Sequence, residues 1–209
     1  MEKELTLIDI WRILWKRKIL ILTIFIGSEI VTFVISKKMT PLYEARISLL
    51  PPSSEKLPSP GFIPYFTSFE IPSPSVSMIL ALLQSNKICE EIVKKLNLKE
   101  HYNRKEIRSA VSILRKRTRI RKTKEGVIEI RVRDESPDVA VAIANLYPQI
   151  LNKLNEELKL TAINPMAKVL DKPYLPKKPA VPNIKLNLLI AALISLIIGS
   201  IIALIKETV

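Results

Sequence analysis

The chain has 209 residues, 48% of them hydrophobic, with 33 basic and 20 acidic side chains and a formal charge of +13. That length holds one ordinary domain and little besides. One cysteine, Cys89, and one histidine, His101, exclude an internal disulfide and leave no His/Cys cluster for a metal ion.

Residues 1–18 carry Arg12, Lys16, Arg17 and Lys18 just ahead of an apolar run at 19–35. At 1.5 Å per residue that run reaches about 26 Å, the short end of the spanning range. No small-x-small cleavage site follows it, so it reads as a retained signal anchor, and the basic residues ahead of it predict a cytoplasmic N-terminus. Glu29 is its only charge, on a face shared with Thr32 and Ser36. A charge at depth costs a few kcal/mol, so Glu29 faces a protein interior or water, or else reaches the interface or is protonated.

Beyond the run, Tyr43, Ala45, Ile47 and Leu49 alternate with Glu44, Arg46 and Ser48, the period of a half-buried strand over 42–50. Prolines at 51, 52, 58, 60, 64, 72 and 74 make 51–75 a long loop, although it holds Phe62, Ile63, Tyr65, Phe66 and Phe69. From 75 to 96 the period becomes helical, with a break around Ser85-Asn86; Cys89 packs there as a small apolar group, and His101 reads as a surface residue. A further helix is expected at 104–115, with Ile107, Val111 and Leu114 as its apolar face.

A hairpin follows, from 118–123 to 127–132, with Gly126 in the turn free to adopt positive φ. Arg115, Arg117, Arg119 and Arg121 form a candidate polyanion face there, against the plainer reading of a solvated surface. Ser136, Pro137 and Asp138 have the grammar of a helix start. Ala140, Ile143, Ala144, Tyr147, Leu151, Leu154 and Leu158 then mark one buried stripe, with a kink expected at Pro148. A last strand is expected at 167–170.

Pro173, Pro176, Pro179 and Pro182 recur every third residue, the period of a polyproline II strut over 173–184. It leads to a second apolar run at 186–205, about 30 Å long as a helix. Along that run Ala191, Ser195, Gly199 and Ala203 form a small-residue ridge that lets another helix approach, within one chain or between chains. Residues 206–209 are expected to form a cytoplasmic tail. The expected fold class is therefore an α+β membrane protein, with two transmembrane helices flanking one extracytoplasmic α/β domain at 37–172. That domain is expected to be a small mixed sheet packed with helices. Outside the membrane a basic surface meets lipid headgroups, acidic polysaccharides or lipid-linked pyrophosphates, so nucleic acid is not an expected partner.

The four glycines, at 27, 61, 126 and 199, are too scattered to cradle phosphate, and no P-loop, G-x-S-x-G or H-E-x-x-H motif occurs. The paired carboxylates Glu90-Glu91 and Glu156-Glu157 read as solvent faces of helices. No catalytic residue, cofactor or metal site is expected, and the protein is not read as an enzyme.

The order of parts resembles the polysaccharide chain-length determinant (Wzz-type) proteins, or polysaccharide co-polymerases. The resemblance rests on residues 5–18 before the first run, on Tyr43-Glu44-Ala45, on Ile128-Glu129-Ile130-Arg131-Val132, and on Ser136-Pro137-Asp138-Val139-Ala140 with Ala142-Ile143-Ala144-Asn145. It ends on the proline-rich stretch that meets the second run. It implies a homo-oligomeric ring in the plasma (inner) membrane that sets the length of a surface polysaccharide without chemistry of its own, engaging the polymerase or the growing glycan. Only about one helix fits between Asn145 and Ala167, as in the short members that pair with a cytoplasmic tyrosine kinase. Activation of such a kinase, or a generic two-span sensor, is the alternative. The insert at 51–75 has no family counterpart.

Overall fold

The structure, a computed structural model, describes residues 7–52 and 74–208. The aromatics of the 51–75 loop therefore lie outside the described residues. The chain divides into two compact units, Leu42–Pro179 and the two flanking segments together.

The flanking unit holds α1 (Leu7–Lys16) and α2 (Lys18–Lys38), and its last element is a 25-residue helix, Ile184–Thr208. The unit Leu42–Pro179 contains, in order, β1 (Tyr43–Leu50), α3 (Val76–Leu83), α4 (Asn86–Lys95), α5 (Leu98–His101) and α6 (Ile107–Arg117). Then come β2 (Thr118–Lys122), β3 (Ile128–Asp134), α7 (Pro137–Leu158) and β4 (Lys168–Asp171); the helix Ile184–Thr208 is α8.

The alternation at 43–50 and 128–134 becomes two paired strands. Ala45, Ile47, Leu49, Ile128, Ile130 and Val132 all point inward at 1% exposure or less, against α7. Full burial of each large aliphatic side chain contributes about 1.5–3 kcal/mol. Gly126 takes φ +89° in the β2–β3 turn, as expected. The sheet order is β2-β3-β1-β4, and every described pairing is antiparallel, which corrects the expected mixed sheet. The physical reason is an insertion. The crossover through α7 leaves β3 and β4 parallel, as a helical crossover requires, but β1 lies between them and pairs antiparallel with both.

Helices α3 and α4 separate where the period broke. Ser85 caps α4 by accepting from the Ile88 amide at 3.4 Å, and Ser75 caps α3 through Met78 at 3.1 Å. Helix α7 starts at Pro137, but the Ser136 hydroxyl makes no capping bond; the Ser136 amide instead donates to Asp134 Oδ1 at 3.1 Å. It runs as one element through buried Pro148, and its buried stripe ends at Leu154, since Leu158 is exposed. In α6, Ala110 lies in the core with Val111 and Leu114, while Ile107 faces out. Buried Asn155 accepts from the Thr161 amide and donates to the Ile163 carbonyl, and Asn152 accepts from the Met166 amide, fixing the return into β4. Lys153 of α7 meets Glu91 of α4 and, one turn along its own helix, Glu157, in surface pairs of small energetic weight.

In the other unit, α2 and α8 pack together, and both are long and apolar enough to cross a membrane. Their 21 and 25 residues reach about 32 and 38 Å. Ile19, Leu22, Ile26, Ile30, Leu189, Leu193, Ile197 and Ile201 are outward-facing and exposed, a band suited to lipid. Sequence periodicity had assigned no helix to residues 1–18. There α1 presents Trp11 and Trp15, ring centroids 6.5 Å apart, with Lys18 over Trp15. Aromatic rings beside Lys at a span's end suit a membrane–water interface.

Candidate functional site

Pleating puts one side of each strand on α7 and leaves the other to water. On that outer face β1 carries Glu44, Arg46 and Ser48, β2 carries Arg119 and Arg121, and β3 carries Glu129, Arg131 and Arg133. Register sets Arg46 and Arg119 on either side of Arg131, a row of three like charges across three strands. Such a row is unfavourable unless carboxylates offset it.

Glu129 is that offset. Its side chain is 8% exposed; it accepts from Arg121 Nε at 2.7 Å and from Arg131 Nη2 at 3.1 Å to each oxygen, and forms an ion pair with Arg46 Nε at 2.9 Å. Glu44 holds Arg133 at 2.8 Å on the next row. Burial alone would push the Glu129 carboxyl up. The bonds from Arg121 and Arg131, with the charges of Arg131 and Arg46, instead hold it below the usual carboxylate range. A carboxyl whose folded pKa is depressed contributes stability above its unfolded pKa and loses it as pH falls through the folded value. The variant Glu129→Gln should therefore unfold with a flatter acid limb than the parent below the ordinary glutamate range, measured by circular dichroism against pH. Parallel acid limbs would remove Glu129 from this role.

This arrangement revises the arginine face expected from sequence. Arg115 and Arg117 end α6, where Arg115 donates to Asn86 and Arg117 to Asp134 and Glu135. Arg119 and Arg121 alone lie on the outer sheet face. Arg46, Arg131 and Glu129, which complete the cluster, were present in the alternation of 43–50 and 127–132 but became neighbours only through register.

A second polar cluster sits at the end of β3. Asp134 is fully buried and receives His101 Nε2 at 2.7 Å, the Tyr102 hydroxyl at 2.9 Å and Arg117 Nη1 at 3.3 Å. It ties α5, α6 and the start of α7 together. His101 is at the surface, as expected, but its ring is a structural tie.

Within the helical hairpin, Ser195, Gly199 and Ala203 are buried and Ala191 half-buried. A Cβ on Gly199 would lie 3.3 Å from Ile21 Cγ2 and 3.4 Å from its Cα. The small-residue ridge thus faces α2 of the same chain. At one end Asn187 donates to buried Ser36 at 3.1 Å. Glu29 is half-buried, with Oε1 lacking a hydrogen-bond partner among the described residues. The chain bends at Lys177-Lys178, between Pro176 and Pro179.

Residues 3–96 match the family model Wzz, described as chain length determinant protein. Over that stretch the chain is similar to the chain length determinant proteins. The match takes in α1, α2, β1, α3 and α4, that is, the first apolar helix and the domain's opening strand. No curated protein matches the chain. The matched stretch contributes Glu44, Arg46 and Ser48 to the outer sheet face. Glu129, Arg121 and Arg131 lie beyond it.

Proposed function

We propose that this protein is a non-enzymatic membrane scaffold that regulates the chain length or export of a surface polysaccharide. The observation that carries this reading is the chain-length-determinant match across the first apolar helix and into the domain. The pairing of α2 with α8 supports it, because a two-helix anchor leaves Leu42–Pro179 as a continuous insert between two spans. In this reading both termini are cytoplasmic, the insert is extracytoplasmic in the inner membrane, and several copies assemble around the polymerase or its growing glycan.

The test is the length distribution of surface polysaccharide on a gel, in a deletion strain with and without the gene. A modal band that disappears on deletion and returns on restoration is the expected result. An unchanged distribution would reject length control.

Topology is tested separately. Cys89 is 2% exposed, and burial pushes its thiol up, so Cys89→Ala gives a silent background at little structural risk. In intact cells a membrane-impermeant maleimide should label Lys168→Cys, on the exposed strand β4, and leave Glu4→Cys untouched. The opposite pattern would invert the orientation.

A further inference from the structure

We propose that the outer sheet face carries a binding site for a carboxylate-bearing saccharide, formed by Arg46, Arg121 and Arg131 around Glu129 with Tyr174 as its wall. The proposal deepens the reading above and rests on it for the choice of a glycan as occupant.

Three observations converge on this face. The first is the way Glu129 engages its partners. It takes Arg46 and Arg121 through Nε alone, so among the described residues both terminal Nη edges of each guanidinium stay unbonded. That edge presents two parallel N–H donors, the geometry that accepts a planar carboxylate in bidentate fashion. Arg131 adds a buried Nε with no partner. A carboxylate 8% exposed thus fixes three guanidiniums in place before any ligand arrives, which lowers the ordering cost of binding.

Charge is the second. Three guanidiniums surround one carboxylate, while Lys172 and Asp171 at the rim offset each other. Glu44 stands 3.8 Å from Arg131 Nη1 but also pairs with Arg133, so among the described residues the pocket keeps an excess of positive charge. An anionic ligand would add to the counter-charge that Glu129 gives the Arg119–Arg131–Arg46 row.

The third is shape. Arg46, Ser48, Arg121, Glu129, Arg131 and Tyr174 line an open cleft of about 710 Å³, within the range of small-ligand sites. Tyr174 is 71% exposed, and Leu170 beside it is 53% exposed. A tyrosine ring offers an apolar, electron-rich face to the C–H side of a pyranose, while its hydroxyl reaches ring oxygens. Guanidiniums plus one exposed aromatic wall suit a uronic-acid sugar better than a bare inorganic anion, which has no use for the wall.

The experiment uses the full-length protein in detergent micelles, titrated calorimetrically at low salt with tetragalacturonate and, as the neutral comparison, maltotetraose. Tetragalacturonate should bind and maltotetraose should not. Arg46→Gln/Arg121→Gln, which leaves Arg131 to partner Glu129, should weaken binding by about tenfold or more. Lys94→Gln/Lys95→Gln removes the same charge from exposed positions on α4 and should cost less than about threefold. Should the arginine variant fail to fold, Lys172→Gln/Tyr174→Ala leaves every Glu129 contact intact and should itself weaken binding severalfold. Equal losses in the arginine and lysine variants would reduce the effect to general charge attraction and overturn the site. Displacement by sodium pyrophosphate at concentrations below those of tetragalacturonate would also overturn it, assigning the guanidiniums to phosphate. The gel assay separates the two levels. A protein that restores modal length without binding tetragalacturonate sinks the site and leaves length control standing. A protein that binds it yet leaves polysaccharide length unchanged sinks length control and leaves the site.

Discussion

Asp134→Ala should destabilise the domain by about 3 kcal/mol, a drop in melting temperature of roughly 10 °C for a domain of this size. The figure follows from what the carboxylate leaves behind. Tyr102 is 9% exposed, and without Asp134 its hydroxyl has no acceptor among the described residues. Burial, reinforced by the nearby Asp134 charge, pushes the Tyr102 phenol strongly up, so it is a protonated donor at any working pH. An orphaned buried donor costs about 1–3 kcal/mol. The Ser136 amide at the start of α7 loses its partner as well. Arg117 suffers less, because it keeps Glu135 at 2.6 Å and its stack on the Tyr102 ring at 5.0 Å, and it is partly solvated. That places the total at the lower end of the range for a broken buried ion pair. Tyr102→Phe, which removes one bond and leaves no orphaned proton, should cost only about 1 kcal/mol. Thermal unfolding of the full chain in detergent, followed by circular dichroism, measures both. A loss below 1 kcal/mol for Asp134→Ala would mean that the cluster does not fasten α5, α6 and α7 to the sheet.

The legibility of this fold in its sequence follows the range of the physics involved. Period-two alternation at 43–50 and 128–132 and the Ser-Pro-Asp start of α7 are local signals, and each became the expected element. The expected break at Ser85-Asn86 is where α3 gives way to α4. Helix α5 has four residues between Asn97 and Asn103, both with positive φ, too short for any period to register. Strand order was hidden for a different reason. Nothing local to β1 states that it enters between β3 and β4, and only that insertion turns a crossover with parallel strands into an antiparallel sheet.

The arginine cluster shows the same limit at the candidate site. Arg115, Arg117, Arg119 and Arg121 are spaced by two, and a strand running through all four would have shown them on one face. The chain is helical up to Arg117 and extended from Thr118, so the period changes midway and the four separate. Residues far apart in sequence replaced the lost pair: Arg46 lies on β1 and Arg131 on β3, and their register is a long-range property. Glu129, an acidic residue on a basic face, acquires its meaning only when three guanidiniums converge on it.

Gly199→Leu should open the α2–α8 hairpin, at a cost of about 1–3 kcal/mol for overpacking a closed contact. A Cβ at this position already meets Ile21 at 3.3 Å, and Ile21 Cα is nearly as close, so backbone as well as side chain must give. Alanine asks for a few tenths of an ångström, and Gly199→Ala should behave almost as the parent. Leucine has nowhere to go, because Ser195 and Ala203, one turn to either side, are at 3% and 0% exposure. The readout is an intramolecular cross-link between Ser36→Cys and Asn187→Cys in a Cys89→Ala background, positions whose native side chains meet at 3.1 Å. Mild oxidation should join them within a single chain at a yield independent of protein concentration, and Gly199→Leu should lower that yield severalfold. Sequence alone leaves the ridge free to pack within one chain or between chains, and in this structure it is buried against α2 of the same chain. A variant that keeps the intramolecular cross-link but shrinks the oligomer by light scattering would assign the ridge to a neighbouring copy instead.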